Sequence, residues 1–296
     1  MKNILLTNDD GYDAKGIREL HKALKERFKD ANIWLIAPHL QKSACSHSIT
    51  LHHPLRLKKH EKDIYSLHDG TPSDCVYVGL SKLFDGKIDL VISGVNHGAN
   101  LGEDISYSGT CAGAMEAVLR GVPALASSLY YENDSIEKYS YDLACKITCD
   151  IAARILEFPP KLGEREFLNL NIPACSKADF KGLKVAKTGK RNYDTKLDIR
   201  IDPRGGEYIW LGEPDVVATL ENDDCDITLI TKNFATLSPI KVDMCAHASL
   251  DELGLWARGI NEYDYIFRRR WLCGAYAFWG FFDSCDFDAK KSTRKR

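Results

Sequence analysis

Short apolar runs alternate with segments of helical periodicity through the first half of the chain. In GIRELHKALKERF, Ile17, Leu20, Leu24 and Phe28 lie three or four positions apart, which predicts a helix. SDCVYVGLSKLF and GTCAGAMEAVLRG predict two more helices, the second closed by Gly121. The predicted strands are NILLT, NIWLIAP, SITLH, IYSLHD, IDLVIS and VPALASSL. Apolar strands separated by helices are typical of a parallel sheet covered on both faces, so we expect an α/β fold.

From about residue 180 the pattern changes to strand-like segments joined by polar turns. The predicted strands here are KGLKVAKTG, YIWLG, CDITLITKN and SPIKVDMC, and Asp202–Glu207 (DPRGGE) predicts a hairpin turn. We therefore expect a three-layer α/β/α core with a mostly parallel sheet over about residues 1–180. A β-rich extension is expected over about residues 181–250.

The last segment, residues 251–296, contains RRRWLCGAYAFWGFF, followed by an acidic patch and a basic end. Its apolar part is shorter than the about 20 residues that a helix needs to cross a bilayer, so we expect no membrane span. A buried helix, a subunit contact and a poorly structured tail are all compatible with this pattern. The mixture of Trp, Phe and Arg also suits a membrane surface.

Composition and charge narrow the classes of protein. With 296 residues and a formal net charge of −2, the chain has no general excess of positive charge for binding a nucleic-acid duplex. The start, MKNILLTNDDG, is typical of neither a signal peptide nor a transit peptide, so we expect a cytoplasmic protein. The ten cysteines are scattered without a CxxC pair and are interpreted as reduced thiols. A zinc site at Cys145 and Cys149 is disfavoured because no matching Cys/His pair accompanies them.

Polar residues follow three predicted strands at the points where those strands end. Asn8, Asp9, Asp10 and Gly11 follow NILLT, HLQKSACSHSIT follows NIWLIAP, and GVNHGANLGEDISYSGT follows IDLVIS. Ligands of open parallel sheets bind beyond the carboxyl ends of the strands, so these segments are expected to converge. Carboxylate, hydroxyl and amide oxygens suit Mg²⁺, Mn²⁺ or Ca²⁺ better than zinc. The alternative is that Asn-Asp-Asp-Gly forms only a turn.

A second candidate element is the stretch Tyr107–Thr110, directly before the predicted helix Cys111–Arg120. Small residues at a helix N-terminus expose backbone N–H groups that bind phosphate, although Ser and Thr are also ordinary N-caps. A metal and a phosphate cradle on one sheet edge predict phosphoester hydrolysis by a metal-activated water, with a carboxylate as general base. The chain has no GxGxxG or GxxxxGK[ST] motif, which disfavours a dinucleotide-binding fold and a P-loop ATPase.

Two further features have open interpretations. GTPSDC, residues 70–75, predicts a turn with Ser73 or Asp74 as a helix N-cap, and a functional site is the less favoured alternative. His47, His52 and His53 are candidates for a metal or general-base role, but histidines in such a context are more often surface or packing residues.

Five motifs resemble, in order and spacing, those of the SurE family of survival proteins. They are ILLTNDDG, APHLQKSACSHSIT, DGTPSDCV, DLVISGVNHGAN and GEDISYSGTCAGAMEA. The resemblance covers residues 1 to about 130 and continues more loosely to about residue 245. It implies a single Rossmann-like, SurE-like α/β domain over residues 1–250. In that domain, about residues 181–250 form homodimers or homotetramers, partly by exchanging segments.

The activity implied by the resemblance is that of a metal-dependent 5′-nucleotidase acting on nucleoside monophosphates. Family members often have 3′-nucleotidase and exopolyphosphatase side activities. One divalent cation per subunit is implied, Mg²⁺ or Mn²⁺, and Ca²⁺ also fits such a site.

The family's site residues can be carried over by position. The implied metal ligands are Asp9, Asp10, Ser43 and Asn96, with Asp9 and Asp10 also the catalytic residues. The implied phosphate- and substrate-binding residues are Asn8, Asn96, Ser108, Gly109 and Thr110. The chain departs from the family pattern at His39-Leu40, where an acidic residue and an arginine are common, and at Ser43-Ala44, where Ser-Gly is common.

Two other functions remain open from the sequence. The site could bind nucleotides without hydrolysing them, as a regulatory module. Polyphosphate could instead be the main substrate, held by a basic groove for which the candidates are Lys187, Lys190, Arg191 and Arg204. Tyr208 and Trp210 could stack on a base or pack within a strand.

Overall fold

The computed structural model describes residues 1–83, 87–131, 140–190, 197–211 and 224–257. The strands within these ranges are β1 (Asn3–Thr7), β2 (Asn32–Pro38), β3 (Arg56–Glu61), β4 (Ile64–His68), β5 (Leu90–His97), β6 (Ala124–Tyr130), β7 (Glu166–Pro173), β8 (Leu183–Val185), β9 (Leu197–Ile201), β10 (Glu207–Leu211) and β11 (Ala235–Lys241). The α-helices are α1 (Lys15–Arg27), α2 (Pro72–Val78), α3 (Gly109–Leu119), α4 (Asp142–Glu157), α5 (Asp226–Thr231) and α6 (Leu250–Trp256). A π-helical stretch, Gly79–Leu83, continues α2.

One large sheet organises the chain, in the order β3-β4-β2-β1-β5-β6-β7-β11-β8. The central strands from β4 to β7 pair in parallel. Antiparallel pairing occurs between β3 and β4 at one edge and between β7 and β11 towards the other. The predicted α/β fold with a mostly parallel sheet is therefore confirmed.

Helices cover both faces of this sheet. One apolar cluster joins α1 and α4 to strand residues such as Ile4, Leu6 and Leu35. The other joins α2 and α3 to the residues of the opposite face, among them Leu5 and Ile36. Alternate residues of β1 and β2 thus enter opposite cores, which is why both strands are apolar throughout.

Three local predictions are wrong, and the sequence analysis missed β3, β7 and α4. SITLH forms no strand, and its residues Ser48 and Thr50 are held instead by side chains of the GTPSDC motif. CDITLITKN contains the helix α5 rather than a strand, although its β-branched residues favour a strand. RLKKHE forms the edge strand β3, which has no apolar face to reveal it. The N-cap of α2 is Thr71, not Ser73 or Asp74, because Thr71 and Asp74 exchange the two bonds of a capping box.

The predicted hairpin turn at Asp202–Glu207 joins β9 and β10 in a separate two-stranded sheet. Asp202 Oδ1 accepts hydrogen bonds from the backbone N–H groups of Arg204 and Gly206, each 2.8 Å long. All residues of β9 and β10 are exposed, including Ile201 and Trp210. The hairpin has no described element packed on its apolar side chains.

The chain divides into two compact units, Met1–Asp243 and Met244–Arg296. In the second unit the described elements are a 3₁₀ turn, His247–Ser249, and α6. The segment RRRWLCGAYAFWGFF lies outside the described residues. None of the helices that are described is long and apolar enough to span a membrane. The cysteines of the described ranges are free thiols.

Candidate active site

Three neighbouring strands bring the candidate residues to one edge of the sheet. β1 lies between β2 and β5, with Leu6 opposite Leu35 and Thr7 opposite Ser93. The segments that follow these strands carry Asp9 and Asp10, the Ser43 loop and Asn96. The convergence expected from the sequence follows from this strand order.

Asn8 closes the turn that presents the two aspartates. Its fully buried side chain donates from Nδ2 to Gly11 O at 2.9 Å and accepts at Oδ1 from Gly11 N at 3.2 Å. Gly11 has φ +107°, a conformation that favours glycine. Both ends of the Asn8 amide are thus used within the turn, and its contact with phosphate stays a prediction.

Asp9 is buried against the N-terminus of α3. Thr110 Oγ1 donates a 2.5 Å hydrogen bond to Asp9 Oδ1. A Cβ at Gly109 would lie 2.7 Å from Asp9 Cβ and 2.8 Å from Asp9 Oδ2, so only glycine fits there without a shift. The proposed phosphate loop and the first proposed metal ligand are therefore in direct contact.

Both aspartates are unfavourably placed for carrying their charges. Burial raises the pKa of Asp9 to about 6; the Thr110 hydrogen bond opposes this shift and the neighbouring charge of Asp10 adds to it. Burial likewise raises the pKa of Asp10 to about 6, partly offset by the backbone N–H of His97, which donates to Oδ2 at 2.9 Å. A bound cation is the kind of partner that would restore the charged forms.

The loop after β2 approaches Asp9 through its backbone. Lys42 N donates to Asp9 O at 2.7 Å, next to the exposed Ser43, whose Oγ accepts a bond from Gln41 Nε2 at 2.9 Å. Ala44 has φ 54°, which explains why glycine is common there in the family pattern. The residue before Ser43 thus contacts the backbone of Asp9, while the Ser43 hydroxyl is bonded to Gln41.

Asn96 lies at a bulge near the end of β5, where the pairing with β6 shifts register. Gly94 has φ 133°, and a Cβ there would lie 2.1 Å from Ser127 O. The largely buried Asn96 donates from Nδ2 to Gly98 O at 2.7 Å. This bond fixes the amide so that Oδ1, an oxygen suited to a cation, points away from Gly98.

The loop Ser108–Thr110 begins α3. Ser108 is the N-cap, and its Oγ accepts a bond from Cys111 N at 3.0 Å. The first N–H groups of an α-helix have no partner within the helix, and they carry the positive end of its dipole. Thr110 directs both its hydroxyl and its backbone N–H to the Asp9 carboxylate, so the N-terminus of α3 lies directly beside Asp9.

The sequence left the role of the GTPSDC motif open. In the structure, the motif holds the loop that contains Ser43. Thr71 Oγ1 donates to Ser48 O at 2.7 Å, and Asp74 Oδ1 accepts from Thr50 N at 3.0 Å. Asp74 Oδ2 also accepts from Thr71 N at 2.9 Å. The motif is thus both a helix start and an anchor for the neighbouring loop.

His47 contacts a carboxylate that sequence reasoning missed. His47 Nε2 lies 3.0 Å from Glu116 Oε2, and Arg120 Nε donates to Glu116 Oε1 at 2.6 Å. Burial works against ionisation of Glu116, but the bonds from His47 and Arg120 outweigh it and hold its pKa below the usual range. A single acid among small residues of GTCAGAMEA is the sequence signal that could have revealed it. His52 and His53 are exposed.

His39, one of the departures from the family pattern, belongs to a stack of rings. Its ring lies 3.8 Å from that of His68 and 5.6 Å from that of Tyr12, which in turn lies 4.1 Å from His60. Partial burial, and then the charge that His68 can carry, lower the pKa of His39.

Next to Asp10, His97 Nδ1 lies 3.4 Å from the Tyr141 hydroxyl.

Other candidate residues lie apart from the aspartates. Tyr208 and Trp210 are on the exposed hairpin strand β10, and Arg204 is in its turn. Lys187 and Lys190 are exposed in the segment after β8, and Arg191 lies outside the described residues. Within the described ranges, no group of three or more His, Cys, Asp or Glu side chains could hold a metal ion.

Comparison with known proteins identifies the family. Residues 4–195 match the family model described as survival protein SurE. The chain is 52% identical over 258 residues to 5′-nucleotidase SurE of Campylobacter fetus, covering 86% of this chain and 100% of that protein. It is 48% identical over 266 residues to 5′-nucleotidase SurE of Campylobacter jejuni subsp. doylei, covering 88% of this chain and 100% of that protein. A crystal structure of SurE from Aquifex aeolicus superposes with a TM-score of 0.74 at 34% identity, covering 86% of this chain and 99% of the other. The chain belongs to the SurE family.

Proposed function

We propose that this member of the SurE family is a 5′-nucleotidase that hydrolyses nucleoside 5′-monophosphates with the help of a divalent cation. The observation that carries the proposal is the contact between the buried Asp9 and the N-terminus of α3, because it unites a cation-binding carboxylate with an anion-binding helix end. Two Campylobacter relatives that bear the name 5′-nucleotidase SurE match this chain along their full length and cover 86% and 88% of it.

The donor set suits one cation, which we propose to be Mg²⁺ or Mn²⁺. The proposed ligands are Asp9, Asp10, Ser43 and Asn96, all of which offer oxygen. The raised pKa values of Asp9 and Asp10 support the assignment, since a buried carboxylate beside a half-buried one needs a positive partner for both to ionise. Ca²⁺ could occupy the same oxygens.

The remaining side chains bind and orient the substrate in this proposal. Ser108, Gly109 and Thr110 receive the phosphate at the helix N-terminus, and Asn8 and Asn96 border the same space. When bound, the cation neutralises phosphate charge and lowers the pKa of a water molecule. Asp10, whose Oδ2 is fixed by His97 N, can accept the proton of the attacking water at Oδ1.

Assembly and location form the finer part of the proposal. We propose a cytoplasmic homodimer or homotetramer in which residues 181–250 complete the single domain of residues 1–250. The exposed apolar residues of the β9–β10 hairpin support the proposed oligomer, since such a surface is typical of a subunit interface. The 3′-monophosphates and polyphosphate are proposed as secondary substrates.

The test is phosphate release from a panel of 5′- and 3′-monophosphates and short polyphosphate. Each substrate is assayed with Mg²⁺, with Mn²⁺ and after chelation. We expect the fastest release from 5′-monophosphates and none after chelation. Preference for polyphosphate would replace the substrate assignment, and binding of nucleotide without release would favour a regulatory module.

A further inference from the structure

A buried carboxylate distant in sequence from the aspartate pair holds the loop between Asn96 and Ser108. Asp226, at the start of α5, is fully buried. Its Oδ2 accepts a hydrogen bond from Gly102 N at 2.9 Å. Its Oδ1 accepts from Gly189 N at 2.7 Å and from Ile227 N at 2.8 Å. One side chain thus joins three separate parts of the chain.

Gly102 lies midway along the loop that carries the proposed site residues. Asn96 precedes it at the end of β5, and Ser108 follows it at the N-terminus of α3. The 3₁₀ turn Gly102–Ser106 begins at the residue that Asp226 binds. Any displacement of Gly102 is therefore transmitted to a proposed metal ligand on one side and to the phosphate loop on the other.

The packing around Gly102 is tight enough to fix its position. Its φ is +54°, and a Cβ there would lie 2.7 Å from Gly189 O. The preceding Leu101 packs in a small apolar cluster with Cys225, Ile227 and Ile230. Hydrogen bonds from backbone N–H groups to a buried carboxylate are strong, and losing one leaves an unsatisfied group.

The same loop is linked to the Ser43 loop. Ser46 N donates to Tyr107 O at 3.0 Å, and Ser46 Oγ donates to Ser106 O at 2.7 Å. The position of the 3₁₀ turn therefore affects the segments that carry Asn96, Ser108 and Ser43.

We propose that Asp226 is a positioning residue for the hydrolysis, which holds the loop Asn96–Ser108 in the geometry that cation and phosphate require. This inference rests on the proposed function. Asp226 lies outside the set of residues proposed to touch substrate or cation, and it acts through the backbone of Gly102.

The variant Asp226→Asn tests the contact with Gly102 while it leaves the contacts with Gly189 and Ile227 possible. Asparagine keeps one oxygen, which can still accept from Gly189 N and Ile227 N. Its NH₂ group would then face Gly102 N–H, so two donors would meet where a hydrogen bond existed. The substitution therefore breaks the contact with the loop and changes little in volume.

We expect kcat/KM of Asp226→Asn to fall about 10²-fold at a temperature well below its melting point, since a misplacement of about 1 Å can cost that much. The Mn²⁺ concentration for half-maximal binding to the protein should rise, and amide hydrogen exchange should accelerate at residues 98–107. The control Leu229→Ala, on the same helix, should lose stability while keeping kcat/KM and Mn²⁺ binding.

Wild-type kcat/KM, Mn²⁺ binding and hydrogen exchange in folded Asp226→Asn would overturn the inference. If Asp226→Asn does not fold, Gly102→Ala takes its place, because its Cβ would push the loop away from Gly189. Wild-type kcat/KM, Mn²⁺ binding and hydrogen exchange in Gly102→Ala would likewise contradict the inference. If the wild-type protein releases no phosphate, the proposed function fails, whereas Mn²⁺ binding and hydrogen exchange still test Asp226.

Discussion

At the scale of single residues, the site depends on burying two adjacent carboxylates. Asp9 is only 4% exposed, and it lies against Gly109 and Thr110 rather than against a basic side chain. Neutral partners relieve little of the cost of two close negative charges in a low dielectric. In the metal-free protein these negative charges are consequently unfavourable, and the proposed cation would offset them.

The pH dependence of stability should reveal this strain. The pKa of each carboxyl is about 6 in the folded protein, above the ordinary 3.8, so the folded state holds these protons more tightly than the unfolded chain does. Their stabilising contribution is present below about pH 4 and is lost as the pH rises through 6. In EDTA, Asp9→Asn should therefore melt higher than wild type at pH 7.5, by a margin that shrinks towards pH 5. A margin that does not change with pH would contradict the assignment.

Glycine at position 109 allows the helix to reach Asp9. Gly109→Ala would place a Cβ 2.7 Å from Asp9 Cβ, so we expect a loss of at least about tenfold in kcat, with Mn²⁺ binding weakened in parallel. Gly113→Ala is the matched control, since its Cβ meets Ser93 and Thr7 instead of Asp9. It should cost stability and leave kcat unchanged well below the melting point. Equal losses of activity in both variants would argue against a specific role for Gly109.

At the scale of elements, the site is assembled from segments that stabilise one another. The capping box of α2 is anchored to the loop after β2, since Thr71 donates to Ser48 O and Asp74 accepts from Thr50 N. The N-terminus of α2 thereby holds the neighbouring loop by hydrogen bonds. We expect the position of Ser43, in the same loop, to depend on these hydrogen bonds. The helix α2 itself contributes no residue to the proposed metal site.

Thr71→Val tests this dependence. It removes the hydroxyl that caps α2 and donates to Ser48, at a cost of about 1–2 kcal/mol of stability for the cap. We expect weaker Mn²⁺ binding and slower phosphate release in addition to the lower melting temperature. Thr71→Ser keeps the hydroxyl and should restore both. If Thr71→Val lowers only the melting temperature, the motif serves α2 alone.

Several strands that are apolar throughout were predictable from the sequence, whereas β7, α4 and the elements defined by distant contacts were not. NILLT, NIWLIAP and IDLVIS are apolar because helices cover them on both sides. RLKKHE, on the sheet edge, is polar except for Leu57 and was missed. DITLIT was predicted as a strand but is helical, and its Asp226 bonds to Gly102, 124 positions away, which no local pattern reveals. Asp9 and Asp10 were found because they are adjacent in sequence as well as in space.

At the scale of the whole molecule, the proposed site lies at one edge of the sheet, and the β9–β10 hairpin is exposed among the described residues. β9 and β10 expose large apolar side chains, among them Ile199, Ile201 and Trp210, at 54%, 73% and 64% of their surface. Exposed apolar surface of this kind is a liability in an isolated subunit. We therefore expect the hairpin to be covered in the assembled protein.

Charging the hairpin should weaken the assembly. Ile209→Asp places a carboxylate on an exposed apolar strand, so we expect a smaller oligomer by light scattering at the same protein concentration. Arg204→Ala, in the hairpin turn, is the control and should keep the wild-type mass. An unchanged mass for Ile209→Asp would place the interface elsewhere.

The most direct test of the central claim is a Mn²⁺ titration of phosphate release from a nucleoside 5′-monophosphate, with metal-free wild type and Asp10→Asn compared side by side. The account predicts no release without metal, saturable activation of the wild type, and loss of at least about 10²-fold in Asp10→Asn while its fold is retained. Full activity of Asp10→Asn, or wild-type activity that persists without metal, would contradict it.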